Sequence, residues 1–177
     1  HDQEEAMGMS DRIAIMLDGH IEQLADPETV YERPTSAFVA GFIGRNNFWR
    51  GTSTGSGVRA NDGTVFVSSS PEEKVAAGNP ALAAVRPESI LLASSDPGRD
   101  HNQVPGTVAS VSHFGDVLQY VVRTAERDIV ALLPRQGAPR LVMGDEVFCH
   151  WSDADVYQFS ADQADLVLVQ PAEDATQ

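Results

Sequence analysis

The sequence has little of several features that mark particular classes of protein. Cys149 is the only cysteine among 177 residues, so no disulfide can form within the chain. Lys74 is the only lysine, and 26 acidic residues against 12 basic ones give a formal net charge of −14. No apolar run approaches the roughly 20 residues needed to span a bilayer. The single thiol fits a reducing compartment. The acidic surface repels phosphate backbones and anionic membranes, so we expect no nucleic-acid partner.

What is present suits one domain or two small ones. Hydrophobic residues make up 42% of the chain and charged residues 21%, which is enough apolar material for a core. Fourteen glycines and ten prolines predict many turns and therefore short elements.

The first 25 residues predict a short helix and a hairpin. Asp2 can cap a helix that runs to about Met9, with a glutamate three residues after the cap. Ile13 to Leu17 is a continuous apolar run, which predicts a strand buried on both faces. Asp18-Gly19 is a hairpin turn signal, and Ile21 to Leu24 would form the returning strand. A strand apolar on both faces implies a larger sheet than this segment can provide.

Two further short helices follow. Asp26-Pro27 supplies a cap residue and a proline at the first helical position, and this helix must end before Pro34. Thr35 or Ser36 can cap the next helix, for which Gly44 is a suitable C-terminal stop.

Beyond residue 46 the helical periodicity is replaced by short strand-like stretches between turn residues. Strands at this spacing predict a small barrel or sandwich. They are Asn47–Thr52, Thr64–Val67, Ala81–Val85, Ser89–Leu92, Thr107–Ser112, Leu118–Arg123, Ile129–Leu133, Glu146–Trp151 and Leu166–Val169. We expect loops at Thr52–Asn61 and Ser94–Gln103, because both are polar and rich in turn residues.

The pattern divides the chain into three parts. Residues 1–45 have the character of the last piece of an α/β domain, residues 46–170 form a β domain, and the polar residues 171–177 should be frayed. Because the chain opens with His1, inside a helix-like pattern, we expect its start to be a truncation.

The first quarter of the chain closely resembles the ATP-binding subunits of ABC importers, especially those for polyamines, ferric iron and sugars. The resemblance begins at the segment His1 to Ala6, which is similar to the switch-histidine segment of that family. It continues in order through Ser10-Asp11-Arg12-Ile13, Gly19, Ile21-Glu22-Gln23, Pro27, Tyr31, Pro34, Phe38 to Gly44, and Asn47-Phe48.

The remainder resembles the transport-associated oligonucleotide-binding-like (TOBE) domain. The matching residues are Val85-Arg86-Pro87-Glu88, Phe114-Gly115-Asp116 with Tyr120, and Gly144 to Val147 with Trp151. The resemblance implies a mainly β fold: a small OB-like antiparallel barrel preceded by an α/β remnant of an ABC ATPase domain.

The resemblance implies that His1 contacts the γ-phosphate of ATP in the parent protein, with ATP and Mg as its cofactors. An imidazole can donate a hydrogen bond to a phosphate oxygen. However, the chain lacks the phosphate loop GxxxxGK followed by Ser or Thr, the signature loop and the acidic magnesium-binding strand. Gly55-Ser56-Gly57 has no lysine and lies in a predicted turn. We therefore expect this chain to have no ATPase activity, no cofactor and no metal of its own.

Arg86, Pro87 and Glu88 are candidate regulatory or interface residues. One interpretation is a turn after a strand, with Pro87 ending the ladder. The other is a contact that senses a regulator or faces a second subunit. The four other histidines lack metal-ligand spacing. The aromatic residues of the β domain are expected to pack in its core.

The favoured function is a regulatory C-terminal module of an importer's ATP-binding subunit, which supports ATPase dimerisation and tunes ATP-driven uptake. Its implied partners are a second copy of the subunit, transmembrane permease subunits and a small-molecule regulator. The implied location is the cytoplasmic face of the cell membrane. The alternative is a free-standing β-barrel that binds a small oxyanion-type ligand. Which solute the parent carries stays open.

Overall fold

A computed structural model describes residues 3–69, 75–98 and 102–161. Its first 25 residues form helix α1 (Gln3–Met9) and a hairpin of strands β1 (Ile13–Leu17) and β2 (His20–Ala25). Asp18 and Gly19 both adopt positive φ, as the predicted tight turn requires.

Two capped helices follow the hairpin. In α2 (Pro27–Glu32) the carboxylate of Asp26 accepts a hydrogen bond from the Thr29 amide. In α3 (Ala37–Phe42) the hydroxyl of Ser36 accepts one from the Val39 amide, so Ser36 is the cap. These helices pack on one face of the hairpin through a cluster formed by Ile13, Ile15, Val30, Val39 and Ile43.

From Asn47 onward, the described residues form two antiparallel five-stranded sheets. In sheet I the strand order is β12-β6-β3-β4-β5, and in sheet II it is β10-β9-β8-β11-β7. The strands of sheet I are β3 (Asn47–Ser53), β4 (Gly57–Ala60), β5 (Val65–Val67), β6 (Pro80–Val85) and β12 (Tyr157–Ser160). Those of sheet II are β7 (Leu91–Ala93), β8 (Asn102–Phe114), β9 (Val117–Arg123), β10 (Asp128–Pro134) and β11 (Glu146–Trp151). Short 3-10 turns lie at Pro87–Ser89 and Asp153–Asp155.

The two sheets share one core. Alternate residues of β9, β10 and β11 are buried, so each strand presents one apolar face to the facing sheet. Trp49, Phe66 and Trp151 form its aromatic centre, and the rings of Trp49 and Trp151 stack with centroids 5.3 Å apart. Sheet I is covered on its other face as well, because Ala37 and Ala40 of α3 pack against it. This explains why β6 is buried at every position from Ala81 to Val85.

Two asparagine side chains join the sheets where strand pairing ends. The Asn47 amide donates to the Val130 carbonyl at 2.9 Å and accepts from the Val130 amide at 2.8 Å. Asn102 makes the same pair of bonds with Val67, at 2.9 and 2.7 Å. Each side chain thus replaces one peptide unit of a ladder, and together they connect sheet I with sheet II at β10 and at β5.

Most of the predicted strands are present, and the mainly β, antiparallel fold class is confirmed. The expected loop Thr52–Asn61 is wrong in part, because it contains the whole of β4. Ile13 to Leu17 was expected to be buried on both faces, but its residues alternate between buried and exposed. The predicted strand Leu166–Val169 and the tail 171–177 lie outside the described residues. Within the described ranges, no helix is long and apolar enough to cross a membrane.

Candidate functional site: a junction around Arg86

Arg86 follows strand β6 and reaches back to the first segment. Its side chain is buried, and the guanidinium donates to the carbonyl of Ile43 at 3.1 Å and to the carbonyl of Tyr31. The guanidinium carbon also lies 3.6 Å from the centre of the Tyr31 ring, in cation–π geometry. Arg86 therefore holds the C-terminal ends of both α2 and α3.

Tyr31 completes the contact from the other side. Its hydroxyl donates to the Glu88 carboxylate, two residues beyond Arg86. Burial and this hydrogen bond raise the pKa of Tyr31 to about 12. Arg86 caps the 3-10 turn Pro87–Ser89, which begins at Pro87 and includes Glu88, so the turn aims both side chains at one tyrosine.

The C-terminal end of α2 is capped by side chains from three different elements. The Arg86 guanidinium donates to the Tyr31 carbonyl, and the Tyr157 hydroxyl donates to the Glu32 carbonyl at 3.0 Å. The Gln23 side chain donates to the Arg33 carbonyl at 2.9 Å. The last carbonyls of a helix lack partners within the helix, so such caps are stabilising. Two of the three come from the β domain.

The connection between α3 and β3 is also fixed. Arg45 donates to the Gln119 side chain at 3.1 Å, and Asn46 donates to the Ala40 carbonyl at 2.6 Å. Gly44 has a φ of +83°, and a β-carbon there would lie 2.9 Å from a guanidinium nitrogen of Arg86. A glycine is therefore required both by the backbone and by the close approach of the buried arginine.

The junction is suited to holding two parts of the chain together, since Arg86 and Glu88 bind groups of α2 and α3 from the far side of strand β3 in the sequence. Cys149 lies in the β core, where burial raises the pKa of its thiol to about 12 and keeps it protonated. Among the described residues, no group of three or more His, Cys, Asp or Glu side chains is placed to hold a metal ion.

The glycine-rich stretch Gly55-Ser56-Gly57 is not arranged to bind a phosphate group. The glycine-rich stretch after β3 uses its own amides, because Thr54 donates to the Gly57 carbonyl and Gly55 donates to the Ser53 hydroxyl. Gly57 packs so tightly that a β-carbon would lie 2.0 Å from the Phe66 carbonyl oxygen. This stretch is a turn between two strands and leaves no phosphate cradle.

The structure brings Arg86, Pro87 and Glu88 together with Tyr31, whereas His1 lies outside the described residues. The sequence does not predict the contact of Arg86 with α2 and α3, because Arg86 binds backbone carbonyls, which every residue type has. Contact of Arg86, Pro87 or Glu88 with a regulator or a second subunit stays a prediction. The expected aromatic packing is observed for Trp49, Tyr120 and Trp151 in the core and for Phe48 beneath α3. The prediction is wrong for Phe148, which is half-buried and lines a surface cleft.

Residues 83–159, which include Arg86 and both 3-10 turns, match the family described as the TOBE domain. The match lies within the β domain and extends from β6 to β12. The chain as a whole is similar to the ATP-binding subunits of bacterial importers, which confirms the resemblance found in the sequence.

Three relatives show the extent of this similarity. The chain is 35% identical to the spermidine/putrescine import ATP-binding protein PotA of Thermobifida fusca, across 89% of this chain and 42% of that protein. It is 39% identical to PotA of Rubrobacter xylanophilus, across 71% of this chain and 34% of that protein. It is 35% identical to the putrescine transport ATP-binding protein PotG of Escherichia coli, across 85% and 42%. The chain thus spans less than half the length of these curated relatives.

A solved structure shares the fold of the β domain. The cytoplasmic molybdate-binding protein ModG, in a form with molybdate bound, matches with a TM-score of 0.53. The match covers 64% of this chain and 95% of that chain at 16% identity, so it is a likeness of fold alone.

Proposed function

We propose that the chain is the regulatory C-terminal module of the ATP-binding subunit of a bacterial ABC importer of the polyamine type. The observation that carries the proposal is the similarity to PotA and PotG proteins over most of this chain, including both the α1–α3 segment and the TOBE domain. Residues 1–45 would be the end of the ATP-binding domain, and residues 46–170 the regulatory β domain.

The hairpin β1–β2 supports this assignment through its outer face. Ala14 pairs with Leu24 and Met16 with Ile21, and opposite residues in an antiparallel pair share one face. All four are exposed in this chain. An apolar face of this kind is normally covered, and the rest of an ATP-binding domain is the occupant that the relatives suggest.

In the parent subunit, ATP and Mg would be held by residues outside this chain, apart from the phosphate contact proposed for His1. The chain alone would hydrolyse no ATP. The TOBE domain would support pairing of two subunits and tune ATP-driven uptake, with permease subunits as further partners at the cytoplasmic face of the membrane. A small-molecule regulator of the β domain is part of the same proposal.

The alternative of a free-standing oxyanion-binding barrel has less support. Among the described residues Arg86 is the only buried arginine, and its terminal nitrogens are already used by the Tyr31 and Ile43 carbonyls. A surface cleft of about 450 Å³ includes Arg123, but this side chain is exposed and paired with Asp128 at 3.3 Å. Arg86 is desolvated but already bonded, and Arg123 is exposed, so neither arrangement is a site built for an anion. Calorimetric titration of the chain with molybdate and sulfate tests this, and saturable binding would favour the barrel.

The main test is reconstitution of the full-length subunit with its permease subunits in liposomes. We expect ATP-dependent uptake of labelled spermidine or putrescine, and no hydrolysis by the 177-residue chain alone. The matched comparison is the full-length subunit with His1→Ala, which should lose hydrolysis while still binding ATP. Full ATP hydrolysis by the isolated chain, abolished by His1→Ala, would contradict the proposal, as would uptake that continues without the subunit.

A further inference from the structure

We propose that Arg86 locks the TOBE domain and helices α2 and α3 into one rigid body. Regulation through the TOBE domain would then turn this body as a whole and would not bend a flexible linker. The inference rests on the proposed function only for the statement that the protein is an ATP-binding subunit. The lock itself is argued from contacts within this chain.

The β domain holds the helices at several separate points. Arg86 bonds to the carbonyls of both helix ends and stacks on Tyr31. Glu88 accepts from the Tyr31 hydroxyl, and Tyr157 donates to the Glu32 carbonyl. These contacts come from the turn after β6 and from β12, so a rotation about either one would break the other.

The packing beneath α3 holds this helix to sheet I as well. Ala37 and Ala40 are buried against Phe48, Leu82 and Phe159 on the outer face of sheet I. Moving α3 off the sheet would expose this apolar surface to water. A hinge would need a contact surface with few buried residues, whereas the residues between α3 and sheet I are buried.

The connection between α3 and β3 is held by contacts along its whole length. Ile43 ends α3, and its carbonyl is held by Arg86. Arg45 donates to the Gln119 side chain, and Asn46 donates to the Ala40 carbonyl. Strand β3 begins at Asn47, whose side chain is hydrogen-bonded to Val130. Every residue from 43 to 47 therefore has a contact that a bend of the chain would disturb, including the tightly enclosed Gly44.

The rigid body extends to α1. Ala6 and Met7 pack against the cluster that contains Val30, Val39 and Ile43. A rotation imposed on the TOBE domain would therefore reach α1, which begins two residues after His1. Arg86 acts in this arrangement as a positioning residue, since it contacts the helices and no reacting group.

The test uses the full-length ATP-binding subunit with spin labels on two exposed positions, Glu28→Cys in α2 and Glu126→Cys in the turn before β10. The labelled subunit is diluted with an excess of unlabelled subunit, so that only distances within one subunit are measured. Cys149 is buried and should stay unlabelled. Distances are measured by pulsed electron paramagnetic resonance without nucleotide and with trapped ATP. We expect one narrow distance that is the same in both states. Two distances, or a shift of several ångströms on ATP binding, would overturn the inference.

The variants separate the lock from general damage. Arg86→Met should replace the narrow peak by a broad one, and Arg86→Lys should fail to restore it, because an ammonium cannot match the planar, stacked guanidinium. Arg59→Met changes an exposed strand arginine in the same sheet and should leave the peak unchanged. Tyr157→Phe is the milder variant if Arg86→Met does not fold, as judged by circular dichroism, and should give a partial broadening. A narrow peak in folded Arg86→Met or in Tyr157→Phe would refute the lock.

A functional readout completes the experiment. In reconstituted importer, Arg86→Met should lower uptake per ATP hydrolysed severalfold relative to Arg59→Met, because the TOBE domain no longer moves with the helices. An unchanged ratio would count against regulation by whole-body rotation. If the unmodified subunit neither hydrolyses ATP nor supports uptake, the proposed function fails, whereas the distance measurements still decide whether the lock exists.

Discussion

Removing the Asn47 side chain should weaken the β domain more than any ordinary polar substitution. Asn47 is buried, with 3% of its surface exposed, and it makes two short hydrogen bonds to Val130 and a longer one of 3.4 Å to the Val85 carbonyl. A buried group left without its partner costs about 1–3 kcal/mol. Val130 is only half-buried, so water can reach part of it. We therefore expect Asn47→Ala to lower the free energy of unfolding by about 2–3 kcal/mol.

The assay is urea unfolding followed by tryptophan emission, since the only two tryptophans stack in the core of the β domain. With a slope of about 2 kcal/mol per molar urea, the midpoint should fall by about 1–1.5 M. Asn61→Ala, in an exposed turn, is the control and should change the free energy by less than about 0.5 kcal/mol. Asn47→Leu keeps the branched shape of the side chain but removes its polar atoms, and it should lose at least as much as Asn47→Ala. If Asn47→Ala matches Asn61→Ala, the side chain does not hold the sheets together.

Three further outcomes follow from the structure. Gly44→Ala should destabilise the chain by about 1–3 kcal/mol in thermal unfolding. The loss should exceed that of Gly63→Ala, because Gly63 also has a positive φ but has open space around it. Equal losses would contradict the close approach of the buried guanidinium to Gly44. Glu88→Gln should lower the pKa of Tyr31 from about 12 towards its ordinary value in an ultraviolet titration, because a negative hydrogen-bond acceptor is removed; an unmoved value would leave burial as its sole cause. Cys149 should resist a thiol reagent at pH 8 until urea is added, and rapid labelling of the native chain would contradict its burial. The free energy of unfolding should fall between pH 9 and pH 12, because the unfolded thiol ionises near 9 and the folded thiol only near 12.

Much of the β fold could be predicted because its strands alternate. Residues 118–123 and 146–151 carry apolar residues at alternate positions, and both segments are strands with one buried face. Residues 129–133 are a continuous apolar run, which also predicts a strand, although only alternate residues of it are buried. The caps of α2 and α3 were predictable for a local reason, since Asp26 and Ser36 bond to amides three residues away.

The failures have identifiable physical causes. Strand β4 begins at Gly57, a residue that predicts a turn, yet the glycine is needed because the Phe66 carbonyl of β5 approaches it closely. Strand β12 alternates between aromatic and polar residues, but its four residues are too few for this alternation to distinguish it from a loop. The alternation of β1 was masked because residues on its exposed face are also apolar.

The junction was predictable only in part. Arg86 and Glu88 could be singled out by resemblance, but their partner Tyr31 lies more than 50 positions earlier and is joined through backbone carbonyls and a ring face. Single-sequence patterns describe neighbours along a helix or strand, and this contact has no such period. Asn47 and Asn102 were hidden for the same reason.

The capped end of α2 sets a rule for exchanging domains between relatives. The Tyr31 and Glu32 carbonyls belong to the backbone, so a foreign helix of different sequence would still offer them to Arg86 and Tyr157. The length of the helix, in contrast, must be kept. One inserted residue would rotate the end of the helix by about 100° and move both carbonyls away from their donors. A chimaera cut before α2, and so carrying the helix together with its sheet, should keep this fit, whereas one cut at residue 46 depends on the donor's α2 having the same number of residues.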